Sequence, residues 1–262
     1  MKYAVLSSGS KGNSTLIQGE KTCFLIDCGI TKKKLIETLN QCGVGFSDIQ
    51  KVLVSHNHSD HIGGLKPFKD DQIMCYKNML RGKRDGIPEE NLFDFVSKNE
   101  FDLGEFHITL LRLSHDCPNT SGFLVEEKNT EESLVYLTDT GYLRDSTLRL
   151  IKNKTYYVFE ANHDVGMLYN SDRPMALIRR IHSDKGHLDN VAASTYLSGL
   201  IGDKTREITM AHLSEECNTP EKALATYRVV MQSQLGYVPE NILVRCASIE
   251  KVVKGGDFLS HD

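Results

Sequence analysis

The sequence predicts an α/β (α+β) fold, organised as one domain over residues 1–262, with its chemistry placed where its strands end. Three observations carry this. Short apolar runs alternate with stretches whose apolar residues recur at helical spacing. Polar residues suited to chemistry follow directly after the apolar runs, and no Pro-, Gly- or Ser-rich linker or solenoid repeat divides the chain.

Composition sets the bounds. At 262 residues, 40% apolar and 25% charged, the chain can bury a substantial core. A formal net charge of −4 excludes a global positive field, so a phosphate-binding surface has to be a local patch. Lys32-Lys33-Lys34, Lys77 with Arg81, Lys83 and Arg84, and Arg173 with Arg179 and Arg180 are candidates, although each also reads as a solvated helix face. Seven cysteines with no CxxC spacing argue for a reducing compartment rather than a disulfide framework. The opening Tyr3-Ala4-Val5-Leu6 does not read as a secretion signal and no run approaches a membrane span, so the expectation is a cytoplasmic protein with no membrane partner.

The elements follow in order. Residues 3–7, 14–18 and 23–26 read as an opening β-meander. The loop Ser8-Gly9-Ser10-Lys11-Gly12-Asn13 is a weak phosphate loop, since no Gly-Lys-Ser/Thr closes it, and a plausible tight turn beside a site. Asp27 ends a buried strand, a position that suits site chemistry and equally a helix N-cap or turn. Leu35, Ile36 and Leu39 give a helix over 32–41, stopped by Gly43. Strand 51–55 runs into Ser55-His56-Asn57-His58-Ser59-Asp60-His61-Ile62-Gly63-Gly64, with a short helix expected at 62–65. A strand at 74–76, a short helix at 77–81, a loop at 88–91 and a turn at 101–104 precede the alternating strand 107–113, which ends on Ser114-His115-Asp116.

Strands 122–126 and 133–137 come next, the second running into Thr138-Asp139-Thr140-Gly141. A helix is expected over 143–151, a strand over 156–159 ending on Glu160, helices over 174–182 and 189–199, and a strand over 207–211 ending on His212. Thr219 as N-cap and Pro220 in the first turn open a helix that Gly236 closes, and 242–246 is a last strand. Polar strand ends in both halves predict two similar β-rich halves that meet along one active-site edge.

The densest chemistry is His56, His58, Asp60 and His61, three imidazoles and a carboxylate in six positions; a His-rich polar loop is the bland alternative. Such donors suit zinc, manganese or iron. With the strand-end residues His115, Asp139 and His212 they supply seven ligands for two divalent metal ions. His56, His58 and His115 would hold one, Asp60, His61 and His212 the other, and Asp139 would bridge. Cations about 3.5–4 Å apart can act together on one phosphoryl or carbonyl group.

These motifs, HxHxDH at 56–61 with His115, Thr138-Asp139-Thr140-Gly141 and His212, resemble the metallo-β-lactamase superfamily over Met1 to about His212. The resemblance implies a four-layer αββα sandwich with the metals at one edge of the sheets, and it places Asp27 outside the ligand set, hydrogen-bonded to it. Ser8-Gly9-Ser10-Lys11-Gly12-Asn13-Ser14, Glu160-Ala161-Asn162-His163-Asp164, Gly186-His187-Leu188-Asp189-Asn190 and His212-Leu213-Ser214-Glu215-Glu216-Cys217-Asn218 are further similar to the YycJ/WalJ-type branch. Ala161 stands where Ser is expected and Cys217 where Asn is common. That branch is associated with 5′-to-3′ exonuclease activity on double-stranded DNA. Like tRNase Z and the β-CASP nucleases, the chain has a Gly-His pair before a helix, but the 73 positions from Asp139 to His212 leave no room for a β-CASP insertion.

The resemblance thus implies a two-metal-dependent phosphodiesterase with DNA as its substrate. Water shared by the cations would attack phosphorus in line with the leaving 3′-oxygen, Asp60 would orient it, His187 would donate a hydrogen bond or proton, and Glu160 with His163 would support His187. His187 also reads as a structural helix-start residue, and Glu160 with His163 as a structural ion pair. His107, alternating within a strand, and His182, on a basic helix face, are left out. A small-molecule metallohydrolase acting on a thioester, lactone or cyclic nucleotide is the competing expectation, favoured by the acidic charge. A metal-dependent binding protein is a third, opposed by a ligand count that leaves room for water.

Overall fold

The computed structural model describes residues 1–259. Its strands are β1 (Lys2–Ser7), β2 (Ser14–Gln18), β3 (Cys23–Ile26), β4 (Lys51–Leu53), β5 (Ile73–Tyr76), β6 (Leu92–Phe93), β7 (Glu100–Leu103), β8 (Phe106–Arg112), β9 (Ser121–Glu127), β10 (Ser133–Leu137), β11 (Tyr156–Glu160), β12 (Glu207–Ala211), β13 (Leu243–Cys246) and β14 (Val253–Gly256). Its α-helices are α1 (Lys32–Gln41), α2 (Ser59–Ile62), α3 (Asp145–Ile151), α4 (Val165–Tyr169), α5 (Met175–Ile181), α6 (Asn190–Leu200) and α7 (Pro220–Leu235).

Strand alternation dictates how these elements stack. In β1, Tyr3 and Val5 face one side and Ala4 and Leu6 the other, and all four are buried. Likewise in β10, Leu134 and Tyr136 oppose Val135 and Leu137. Strands apolar on both faces need cover on both faces, which two sheets packed together with helices outside provide. The inner layer joins Tyr3, Phe24, Phe106, Phe123 and Tyr156. The outer layers place Leu35 and Leu39 of α1 on one sheet, and Leu197 of α6 with Tyr227 and Met231 of α7 on the other. Each such side chain contributes about 1.5–3 kcal/mol on burial.

The two sheets share one plan. Their orders are β14-β1-β2-β3-β4-β5-β6 and β13-β12-β11-β10-β9-β8-β7. In the first, pairing is antiparallel from β14 to β3 and parallel from β3 to β6; in the second it is antiparallel from β7 to β10 and parallel from β10 to β13. β3 and β10 are therefore equivalent, as are β4 and β11, and β5 and β12. The two similar halves expected from the strand ends are present. No helix of the described residues is long and apolar enough to cross a membrane.

Several local expectations need correction. Helix α2 begins at Ser59 with His58 as its N-cap, earlier than the expected 62–65, because Gly63 and Gly64 are already engaged: the Gly64 amide bonds the Cys28 carbonyl at 2.7 Å. Residues 77–81 form turns rather than a helix, and Asn78 is left-handed with φ 64°. The turn expected at 101–104 is mostly strand β7, whose Phe101 and Leu103 pack on the inner core while Glu100 and Asp102 face solvent. β14 is unreadable by propensity because it ends on Gly255-Gly256; a side chain at 255 would collide with the Tyr3 ring.

The loop 8–13 and the turn 27–29 meet α2 closely. The Asn13 amide donates to the Asp60 carbonyl at 2.7 Å and the Gly29 amide to the Asn13 carbonyl at 2.8 Å. A Cβ on Gly29 would lie 1.6 Å from the Asp60 carbonyl oxygen. Gly29→Ala should therefore push α2 out of register and destabilise the fold by about 1–3 kcal/mol or more. Urea unfolding measures this, and an unchanged midpoint would contradict the close-packing account.

Candidate metal centre

Of the six non-glycine residues with left-handed backbone among the described residues, three follow strands and carry candidate site side chains: Asp27 after β3 (φ 59°), Asp139 beyond β10 (φ 63°) and His212 after β12 (φ 58°). Such conformations cost about 1 kcal/mol or more and persist where the surroundings enforce them. Here hydrogen bonds do so. The Asp139 and Thr140 amides donate to the two oxygens of Glu160 at 3.1 and 3.0 Å, and the His212 amide donates to Ser8 Oγ at 2.8 Å. All three side chains converge on His61: Asp27 at 2.8 Å, Asp139 at 3.1 Å, and the His212 ring at 6.0 Å between centroids.

The expected ligands fall into the expected groups. His56, His58 and His115 bring one donor atom each within 4.8 Å of one another, and so do Asp60, His61 and His212. Asp139 lies between them, 3.8 Å from His115 Nε2, 3.1 Å from His61 Nε2 and 3.6 Å from His212 Nε2.

The ring nitrogens show which way these imidazoles are set. Ser55 Oγ lies 3.0 Å from His56 Nδ1, Asp27 Oδ2 2.8 Å from His61 Nδ1, the Gly186 carbonyl 3.1 Å from His115 Nδ1, and Glu160 Oε1 3.0 Å from His212 Nδ1. For His58 the outer nitrogen is Nε2, 3.5 Å from Asp116. Each ring is thus held from outside by a group of the chain, with its other nitrogen facing inward, the arrangement that fixes a metal-ligating histidine. Inside, His56 Nε2, His212 Nε2 and Asp139 Oδ2 are buried without a hydrogen-bond partner among the described residues. Buried polar atoms left so are costly, and divalent cations satisfy them. The donor set fits divalent metal binding.

Charge agrees. Burial opposes ionisation of Asp139, yet His212 and His61 outweigh it and hold its carboxyl well below the usual range. Burial likewise opposes protonation of His61 and His212, but Asp139, with Asp27 at the first and Asp60 and Glu160 at the second, pushes both pKa values up, His212 to about 10. Burial and the neighbouring His61 push His56 the other way and keep it neutral, as a ligand must be. The pocket therefore concentrates negative charge where positive charge is favoured.

Glu160 organises the next layer. Fully buried, it accepts from His187 Nδ1 at 2.9 Å and from the Leu188 amide at 3.1 Å, besides His212 and the two turn amides. Burial raises its pKa, but His187 and His212 prevail and bring it to about 2. His187 is half-buried, its ring 5.0 Å from that of His115 and 5.2 Å from that of His212. His163 is not brought into this group: its Nδ1 faces Asn162 Oδ1 at 3.3 Å and its Nε2 faces His182 Nδ1 at 3.3 Å. His107 pairs with Asp102 and Glu100 on an outer edge.

Of the basic candidates, Arg173 pairs with Glu216 and Arg180 with Asp116, while Arg84 is tied to Asp70 and two carbonyls. The sequence reading missed Asn13, whose amide reaches Asp60 at 3.2 Å, and Ser55, Asp116 and Tyr136, whose partners are distant in the chain. Only Asn13 left a signal, in the small-residue loop.

Asp27 offers a direct test. Asp27→Asn keeps size and tolerates φ 59°, but either orientation of its amide sets N–H against a donor, the Ser55 amide at one oxygen position or Ser55 Oγ, the Tyr136 hydroxyl and His61 Nδ1 at the other. Metal affinity should fall about 10–100-fold. Competition against a chromophoric chelator reads this, and unaltered affinity would remove Asp27 from the site.

By sequence and fold the chain belongs to the beta-lactamase superfamily: residues 22–206 match the family described as Beta-lactamase superfamily domain. Among its relatives, Exodeoxyribonuclease WalJ of Streptococcus pneumoniae serotype 2 (strain D39 / NCTC 7466) is 33% identical over 250 residues, covering 90% of each chain. Exodeoxyribonuclease YycJ of Bacillus anthracis is 31% identical over 240 residues, 89% of this chain and 90% of that one. The metallo-beta-lactamase fold protein YhfI from Bacillus subtilis superposes with a TM-score of 0.70 over 97% of this chain and 98% of its own at 18% identity, which shows the shared fold.

Proposed function

We propose that the protein is a two-metal-dependent exodeoxyribonuclease that hydrolyses double-stranded DNA from 5′ to 3′, acting as one domain in the cytoplasm. The observation that carries the hydrolase reading is the convergence of seven candidate ligand side chains beside the Glu160–His187 pair. DNA as substrate is supported by two relatives that cover about nine-tenths of the chain and carry the name exodeoxyribonuclease. Polarity and duplex preference rest on the motif resemblance. Seven free cysteines fit a reducing compartment.

His56, His58 and His115 would hold one ion and Asp60, His61 and His212 the other, with Asp139 shared; imidazole-rich shells suit zinc, and the carboxylates admit manganese or iron. Bound there, divalent cations would neutralise phosphoryl oxygens and make water a nucleophile near neutral pH. The chain does the rest. Asp60, fixed by Asn13, orients the attacking water, and attack on phosphorus breaks its bond to the 3′-oxygen. His187, its Nδ1 held by Glu160, presents Nε2 to donate a proton to that oxygen.

The test is digestion of linear duplex DNA labelled at the 5′ end, against single-stranded DNA, with zinc, manganese or magnesium added after chelation. Metal-dependent release of mononucleotides from duplex is expected. Turnover of a thioester, lactone or cyclic nucleotide without action on DNA would replace this reading.

A further inference from the structure

We propose that His163, His182 and Asp189 form an additional cation site, for a zinc-class transition ion, which clips together the two ends of the segment carrying His187. None of these residues belongs to the seven ligands. His163 lies after β11 and is fully buried, His182 caps the C-terminus of α5 and is exposed, and Asp189 caps the N-terminus of α6. One donor atom from each lies within 4.8 Å of the others.

The geometry is that of a ligand set. His163 Nε2 and His182 Nδ1 are 3.3 Å apart. Tetrahedral bonds of about 2.0–2.1 Å put neighbouring nitrogens about 3.3–3.4 Å apart. The parts are fixed before any ion arrives. His163 and Asp189 pair through their backbones, the Asn190 amide donates to the His163 carbonyl at 2.9 Å, and one Asp189 oxygen is held by the Val191 and Ala192 amides at 2.7 and 2.9 Å. Burial pushes the His163 pKa down to about 4, so its imidazole is neutral and available as a ligand near pH 7. Two imidazoles and one carboxylate favour zinc-class ions over magnesium or calcium, and exposed His182 gives solvent access for entry and for water as a further ligand.

Between His182 and Asp189 the chain makes the turn that holds His187. The Gly186 amide bonds the Ser183 carbonyl at 2.8 Å, the His187 amide bonds the Ile181 carbonyl at 2.9 Å, and the Gly186 carbonyl accepts from His115. An ion joining both ends would stiffen this turn. That consequence for His187 rests on the hydrolase reading; the site itself does not.

The full chain, stripped by chelation and dialysed against zinc, is analysed for zinc by mass spectrometry beside His182→Gln and His182→Ala. His182→Gln keeps a hydrogen-bonding group beside His163 and withdraws the imidazole. The wild-type protein should hold one zinc per chain more than either variant, and should show a further zinc-dependent rise in Tm that both variants lack. Equal zinc content in all three proteins at saturating zinc would overturn the proposal. The comparison is a difference between proteins with the same seven ligands, so the number of ions those ligands hold does not affect it.

Discussion

Asp139→Asn should reduce DNA hydrolysis by at least about three orders of magnitude, the loss of several kcal/mol of charge stabilisation at about 1.4 kcal/mol per tenfold. The substitution isolates charge. Asparagine has the same shape, tolerates the left-handed backbone at φ 63°, and leaves the amide at 139 free to keep its bond to Glu160. What disappears is the one carboxylate, among the described residues, set within 4 Å of His61, His115 and His212, from both ligand groups. Bound metal should fall with activity, and circular dichroism should remain that of the wild type. Activity within tenfold of wild type, with the fold intact, would exclude Asp139 as the shared ligand.

Why Asp139 was legible from sequence, and much of its surroundings was not, follows from how each signal is made. Asp27 and Asp139 follow β3 and β10, the strands at which pairing turns from antiparallel to parallel in their respective sheets. An apolar run stopped by a carboxylate marks both in the chain, and the dense histidines after β4 are local too. The helix α7 was equally local, with the Thr219 hydroxyl oxygen accepting from the Lys222 amide and Gly236 closing at φ 82°. Edge strands β6, β7 and β14 were hidden because pairing with a neighbour, rather than their own composition, makes them strands. Asp116 was hidden for a related reason: it stands next to His115 in sequence, but its work depends on His58 and Arg180, which only the fold brings to it. The motif resemblance sets His163 beside Glu160 as a support for His187. The strand end reverses the side chain away from Glu160 and toward His182, which no local pattern states.

His187→Ala should lower hydrolysis of DNA about 10²–10⁴-fold, the usual contribution of a general acid, while bound metal stays at the wild-type level. His187 is not one of the seven expected ligands; its Nδ1 is tied to Glu160 at 2.9 Å, so Nε2 is the atom available to substrate. A competing account makes His187 a donor to a non-bridging oxygen with no proton transfer. The leaving group separates the two. A DNA 3′-oxygen departs as a strongly basic alkoxide unless protonated, whereas a 4-nitrophenolate departs unaided. On a bis(4-nitrophenyl) phosphodiester the deficit of His187→Ala should therefore shrink to less than about tenfold. An equal deficit on both substrates would assign His187 to charge stabilisation instead. Glu160→Gln should share the leaving-group dependence, because the amide no longer favours the proton on His187. It should also weaken metal binding, which His187→Ala does not, since Glu160 Oε1 holds His212 as well. The two variants thus distinguish the proton donor from the carboxylate that positions it.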